Sequence, residues 1–170
     1  DSDKKFNEFA QIKKLKIYVS IRKLHNQKKL EIKKIIFSEA NFNINKNSFN
    51  YINNFFKKKS SSKKIIIKKS KIFFRENIDK KDVISLSSIQ KSEIFYDEKK
   101  NSNKIIIDGS IFNTKYNLSF LRNITNKNLT NFKINFKQLN AQINNEFLKS
   151  LEKSINSEGT VSIIFLGSEN

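Results

Sequence analysis

Cysteine, proline and tryptophan are absent from this chain of 170 residues, while glycine occurs three times and histidine once. Each absence closes a class of chemistry. Without cysteine there is no disulfide framework, no thiolate nucleophile and no Cys-ligated zinc or iron–sulfur centre. A lone histidine, His25, excludes His-based triads and multi-His metal sites; between Leu24 and Asn26 it reads as a surface residue of a loop. The scarcity of glycine and proline excludes a collagen repeat, a Gly-rich phosphate loop and a Pro-rich linker. No stretch nears the ~18 uninterrupted apolar residues of a membrane span, and no charged-apolar-small signal peptide opens the sequence. The chain begins at Asp1, and its last apolar run, Val161 to Leu166, stops in mid-pattern. We read it as a piece of a longer chain, with any targeting element outside it.

What is present is basic and skewed. Lys and Arg number 34 against 16 Asp and Glu, a formal charge of +18 and a pI of about 10.0. Lys (31), Asn (24) and Ile (26) make up 81 of the 170 residues, whereas Ala, Gly and Pro together make six. An AT-rich coding sequence imposes such a skew on any protein, so part of the lysine excess is drift at solvated positions. Drift does not account for all of it, because Asp and Glu codons are no more GC-rich than those of Val or Ser. A basic surface that seeks anionic partners is therefore expected, which is an argument about partners and solubility and not about fold.

Apolar residues recur mostly with a period of two, the mark of half-buried strands. Leu15, Ile17, Val19 and Ile21 alternate with Lys16, Tyr18, Ser20 and Arg22. The run Leu30, Ile32, Ile35-Ile36-Phe37 slips phase once, as a bulge would make it; Phe42 and Ile44 continue it, and a turn follows at Asn45-Lys46-Asn47. Phe49, Ile52 and Phe56 then recur at spacings of three and four behind Asn47 or Ser48 as N-cap, which predicts a short amphipathic helix over Ser48 to Lys58. The stretch Lys57 to Lys64 is low-complexity and polar. Beyond it, strands are expected at about Lys64 to Lys69, Lys71 to Arg75, Val83 to Tyr96, Lys104 to Phe112, Lys115 to Leu121, Asn131 to Ile143 and Gly159 to Leu166. Asp97 to Asn103 reads as a hairpin loop, and Gly109, inside a strand-like run, as the site of a bulge. A second short helix is expected over Asn145 to Ile155, where Leu148, Leu151 and Ile155 form one stripe and Glu146 sits in the first turn.

The pattern predicts one domain over residues 1–170, mainly β, with long antiparallel strands forming a curved, groove-like sheet and two short helices. A parallel α/β sheet is excluded by the missing crossover helices. A sandwich of this size would have short strands joined by tight Gly/Pro turns, whereas Val83 to Tyr96 and Asn131 to Ile143 run well past the usual length of about five or six residues. Phenylalanine supplies 16 of the aromatics, so the apolar face is greasy and offers few polar handles. Such a face either lines a groove or packs against another part of the full chain. As a groove, its lining would be Leu15, Ile17, Val19 and Ile21 in one strip, then Phe112, Tyr116, Leu118 and Phe120. Phe132, Ile134 and Phe136 form another strip, and Val161, Ile163 and Phe165 close it. A lipid chain loses ~0.8 kcal/mol for each methylene left in water, so such strips suit acyl chains, and Lys and Arg at the rims could meet phosphate head groups.

The run Leu30-Glu-Ile-Lys-Lys-Ile-Ile-Phe-Ser-Glu-Ala-Asn-Phe-Asn-Ile44, a short helix, and then Lys64-Ile-Ile-Ile-Lys-Lys-Ser-Lys-Ile-Phe-Phe-Arg75 resemble the N-terminal part of AsmA-family proteins. Val83-Ile-Ser-Leu-Ser-Ser-Ile89 and Asn103-Lys-Ile-Ile-Ile-Asp-Gly-Ser-Ile-Phe-Asn113 are similar to the strands that follow in that family. The resemblance spans residues 12 to 145 and rests on strand pattern and order, without a catalytic motif. It implies a place in the repeating β-groove superfamily of bridge-like lipid transfer proteins. Such proteins are tethered to the bacterial inner membrane by an N-terminal helix, cross the periplasm and move phospholipids toward the outer membrane along an apolar trough. By that resemblance the chain is periplasmic, held to the inner membrane through a segment outside it, and takes phospholipid acyl chains as its partners; the basic charge adds an anionic membrane surface as a further expected one.

Two other classes compete. A basic nucleic-acid-binding module would set Lys clusters on phosphates and aromatics on bases, but Lys outnumbers Arg 31 to 3 and most Phe fall on the apolar phase, so no nucleic acid is expected. A ligand-free structural β-domain predicts the same alternation with the apolar face sealed by a second layer. An enzyme is not expected, and neither is a cofactor or metal. Asp79, Asp82, Glu93, Asp97, Glu98 and Asp108 read as solvated loop or strand-end carboxylates. The glycosylation triplets at Asn117, Asn123 and Asn128 are what chance gives among 24 Asn.

Overall fold

The computed structural model describes residues 9–21, 30–45, 48, 58–75, 83–125, 129–149 and 155–163. Their strands are β1 (Ala10–Val19), β2 (Ile32–Ile44), β3 (Lys64–Arg75), β4 (Val83–Asp97), β5 (Ser102–Ile111), β6 (Thr114–Asn123), β7 (Leu129–Phe136), β8 (Ala141–Lys149) and β9 (Ile155–Ile163). Each strand pairs with the next in sequence, giving one nine-stranded sheet in the order β1 to β9. Every pairing is antiparallel except β2–β3, which is parallel. The fold is thus mainly β and open, with β1 and β9 as its edges.

Three expectations are corrected. The run Asn131 to Ile143 is a hairpin and not one strand: a 3₁₀ turn at Lys137–Leu139 separates β7 from β8, and Asn140 closes it in the left-handed region at φ 46°. The helix over Asn145 to Ile155 is absent, because Asn145 to Lys149 extend β8, Asn145 to Leu148 pairing with both β7 and β9 and Lys149 with β9; cross-strand pairing overrides a local helical stripe. The strand to Phe112 ends one residue earlier, since Phe112 and Asn113 form a two-residue hairpin turn with φ 48° and 62°. Two successive positive φ values define a type I′ turn.

The other helix, Ser48 to Lys58, lies outside the described residues apart from its end positions. Just before it, Asn45 and Ser48 bond reciprocally: Asn45 Oδ1 accepts from the Ser48 N–H (2.9 Å) and hydroxyl (3.0 Å), and Ser48 Oγ accepts from the Asn45 N–H (3.3 Å). The expected phase slip before Ile35 is a register shift in which Tyr18 faces Lys34 but Val19 faces Ile32.

A line of irregularities crosses the centre of the sheet. Glu39 in β2 and Lys69 in β3 adopt φ 55° and 48°, and Gln90 in β4 is an extra residue between the pairs Ile89–Gly109 and Lys91–Asp108. Each reverses the in–out alternation once. The expected bulge at Gly109 is therefore found, with its extra residue on the facing strand.

Candidate functional site

Residues directly opposite on paired strands share a face, so the register can be followed across the sheet in transverse rows. One row runs Leu15, Phe37, Ile67, Ser92, Ile107, Leu118, Ile134, Ile143 and ends at the register position of Val161. The next runs Ile17, Ile35, Ile65, Ile94, Ile105, Phe120, Phe132 and ends at Asn145 and Gly159. Beyond the central irregularities a third row on the same face contains Ala40, Ser70, Ile89, Gly109 and Tyr116. Tyr116 lies beside Phe136, with ring centroids 6.3 Å apart. One face of the sheet is thereby apolar from β1 to β8.

Exposure varies along it. Leu15 and Ile17 on the β1 edge are 55% and 51% exposed, the members in β5 to β8 are half-buried, and the centre holds small, sealed side chains: Ala40, Ser70, Ser87 and Ser92. Tyr116 crosses over Gly109 to place its hydroxyl 2.7 Å from Ser87 Oγ, and burial raises the pKa of that phenol. Arg122 belongs to the same face; partial burial lowers its pKa. Parallel neighbours need a connection that crosses one face of the sheet, and the described end of the β2–β3 connection lies on this one. There Asn103, fully buried, accepts from the Ser60 N–H (2.8 Å) and donates to the Lys58 carbonyl (2.7 Å). The Tyr96 N–H donates to the Ser61 carbonyl (2.9 Å), and the Lys59 ammonium lies 4.3 Å from the Tyr96 ring centroid.

Of the expected lining, Leu15, Ile17, Tyr116, Leu118, Phe120, Phe132, Ile134 and Phe136 lie on this face, and Val161 and Ile163 hold register positions on it. Val19 follows at the end of β1 beyond its register shift. Ile21 lies past the strand and is 75% exposed. Phe112 leaves the strand phase for the hairpin turn, where it is 79% exposed, and Phe165 lies outside the described residues. The central members Ile35, Phe37, Ile65, Ile67, Ile105 and Ile107 are absent from the expected lining. Their signal is weak because Ile65-Ile66-Ile67 and Ile105-Ile106-Ile107 put isoleucine on both faces.

The opposite face is polar and lysine-rich. A row of Lys14, Ser38, Lys68, Lys91, Asp108, Asn117, Asn135 and Gln142 crosses it without an apolar member. Glu93 sits there between Lys64 and Lys91, 2.7 Å from each ammonium. Hydrogen bonds from Lys64 and Lys91 lower its pKa. Isoleucines 36 and 66, on this same face, are buried. An open depression of about 520 Å³ lies between β6 and β9, lined mostly from the polar face by Ser119, Asn131, Lys133, Asn144, Glu146 and Thr160.

The candidate carboxylates are scattered. Glu93 lies in the middle of β4 and not in a loop, while Asp108 accepts from the Asn117 amide at 2.7 Å. Asp97 caps its own hairpin by accepting from the Lys99 and Lys100 N–H groups. His25, Asp79 and Asp82 lie outside the described residues. Among the described residues no three His, Cys, Asp or Glu side chains come together as metal ligands, and no helix is long and apolar enough to cross a membrane.

The described residues thus form one open, mostly antiparallel sheet with one apolar and one basic face. No family model, curated protein or solved structure matches the chain.

Proposed function

We propose that this chain is a non-enzymatic lipid-binding module of a cell-envelope protein, which shields phospholipid acyl chains on the apolar face of its sheet. The observation that carries this reading is the pair of transverse rows through Leu15 and Ile17, apolar across seven or more strands apart from Ser92 and half-open at β1 and β5 to β8. Rows perpendicular to the strands give a continuous path. At about 4.8 Å between strands, the row from Leu15 to Ile143 runs for roughly 30 Å or more, longer than an extended acyl chain of about 15 methylenes. Apolar burial is non-directional, so a chain can slide along such rows while the lysine face stays wet. The strand order supports an AsmA-like, repeating β-groove relationship. In that setting the sheet curves into a trough, and the module belongs to a periplasmic protein anchored in the inner membrane that contributes to phospholipid transport and outer-membrane biogenesis.

Native mass spectrometry of the purified chain with lipid extraction tests the reading, beside a variant carrying Ile134→Asp and Phe136→Asp. Phospholipid bound to the parent and lost from a folded variant supports it. A folded, lipid-free parent refutes it and leaves a ligand-free structural β-domain as the better description.

A further inference from the structure

The lysines of the polar face are laid out as a two-dimensional array. Across strands, the row Lys14, Ser38, Lys68, Lys91 lies next to one that begins at Lys16 and one that runs Tyr18, Lys34, a neighbouring Lys64, Phe95 and Lys104. Lys71 continues the array past the central irregularity. The pairs Lys34–Lys64 and Lys68–Lys91 are direct cross-strand neighbours of like charge, an arrangement that costs stability. Glu93 bridges Lys64 and Lys91 and Asp108 lies beside Lys91 in register, but Lys16, Lys68 and Lys71 are exposed and form no ion pair among the described residues. Native sheets use lysines to protect edges; here they also lie in the interior of one face, from β1 through β5, around the buried Ile36 and Ile66.

We propose that the lysine face of strands β1 to β5 docks on an anionic lipid surface. The layout favours a bilayer over a nucleic acid. The aromatic rings on this face are already occupied by cations: Lys34 lies 4.5 Å from the Tyr18 ring centroid, and Lys64 and Lys104 lie 5.1 and 6.0 Å from that of Phe95. They offer bases no free stacking platform. What remains is two lysine-bearing rows, with direct lysine neighbours about 5 Å apart across strands, on either side of a middle row of Lys16, Ile36, Ile66 and Glu93, so the ammonium charges spread in two directions instead of along one phosphate track. Lysine is a point charge without the planar fork that reads a particular phosphate geometry, which suits mobile headgroups. This docking does not rest on the acyl-chain reading, since the two faces are opposite sides of one layer.

The test is co-sedimentation of the chain with vesicles of phosphatidylcholine alone and of phosphatidylcholine mixed with phosphatidylglycerol, at low and raised salt. Binding to the mixed vesicles only, falling with salt, is expected. The triple variant Lys16→Gln, Lys68→Gln, Lys71→Gln should lose about a hundredfold in partitioning, at roughly fivefold per charge removed. The control Lys99→Gln, Lys100→Gln, Lys137→Gln carries the same change in net charge from turns and should lose far less. Circular dichroism and urea midpoints confirm that both triples fold. The proposal is overturned if the parent ignores the mixed vesicles or if the two triples lose equally. It is also overturned if a single-stranded oligonucleotide binds more tightly than the vesicles and only the first triple abolishes that binding.

Discussion

Replacing Gly109 by alanine sets two effects of opposite sign against each other. In an ordinary strand the change stabilises by about 0.5–1 kcal/mol, because alanine has less backbone freedom to lose. At this site a Cβ would stand 2.5 Å from the Ser88 carbonyl oxygen and 2.9 Å from Cζ and Oη of Tyr116. The ring could give way only by abandoning its 2.7 Å contact with Ser87, a loss of about 1 kcal/mol. The Ser88 carbonyl is backbone beside the Gln90 bulge and cannot rotate aside. Overpacking of this kind costs about 1–3 kcal/mol, so Gly109→Ala should destabilise by about 2 kcal/mol. With a urea slope of about 2 kcal/mol/M, the midpoint falls by about 1 M at unchanged slope. In a Tyr116→Ala background the ring clash is gone while the Ser88 clash remains, so the same substitution should still destabilise, but by less. A neutral or stabilising Gly109→Ala, or an equal cost in both backgrounds, would refute the packing argument.

Asn103→Ala leaves the Ser60 N–H and Lys58 carbonyl without their buried partner, at a cost of about 1–3 kcal/mol; limited trypsin digestion should then cut faster after Lys58 and Lys59, and an unchanged rate would show that Asn103 does not hold this segment. The Glu93 carboxyl titrates below its ordinary value because Lys64 and Lys91 hydrogen-bond its charged form, so its stabilisation is present above the unfolded-state value and is lost as pH falls through the lower folded one. Urea midpoints between neutral pH and strong acid should decline more shallowly in Glu93→Gln, by at most about 1 kcal/mol; identical slopes would contradict this. Burial raises the Tyr116 pKa, so the folded chain should lose stability as alkaline pH passes the ordinary tyrosine value. Tyr116→Phe should remove part of that loss, as absorbance titration and unfolding at high pH would show.

Much of the sheet was legible in the amino-acid order because period-two alternation survives wherever one face is apolar and the other polar, as in Leu15 to Val19 and Tyr116 to Phe120. The hairpin turn after β4 was legible too, with Asp97 capping it, although it spans only residues 98–101, since Ser102 and Asn103 already pair in β5. Phase was harder. Glu39 and Lys69 are ordinary strand residues in sequence, yet their left-handed backbone moves the apolar face from odd to even positions. The isoleucine triplets conceal which of their members faces which way. Asn145 interrupts the alternation of β8, and with Leu148, Leu151 and Ile155 nearby the segment imitates a helix that only pairing with β7 and β9 rules out. Phe112 gives no turn signal, because a type I′ turn ordinarily asks for Asn or Gly where it stands. The lysine array was visible as net charge alone, since its layout depends on register between strands distant in sequence.

The central claim is that acyl chains lie on the face that carries Leu118, Phe132 and Ile134. Photo-crosslinking tests it most directly, with benzoylphenylalanine placed singly at Leu118, Ile134, Ser119 and Lys133 and lipid adducts read by mass after irradiation with phospholipid. Leu118 and Ser119, like Ile134 and Lys133, are adjacent in sequence and lie on opposite faces. Adducts at positions 118 and 134, with few or none at 119 and 133, are the predicted result. Adducts at 119 and 133 instead, in the polar depression, or no adducts at any of the four positions, would contradict it.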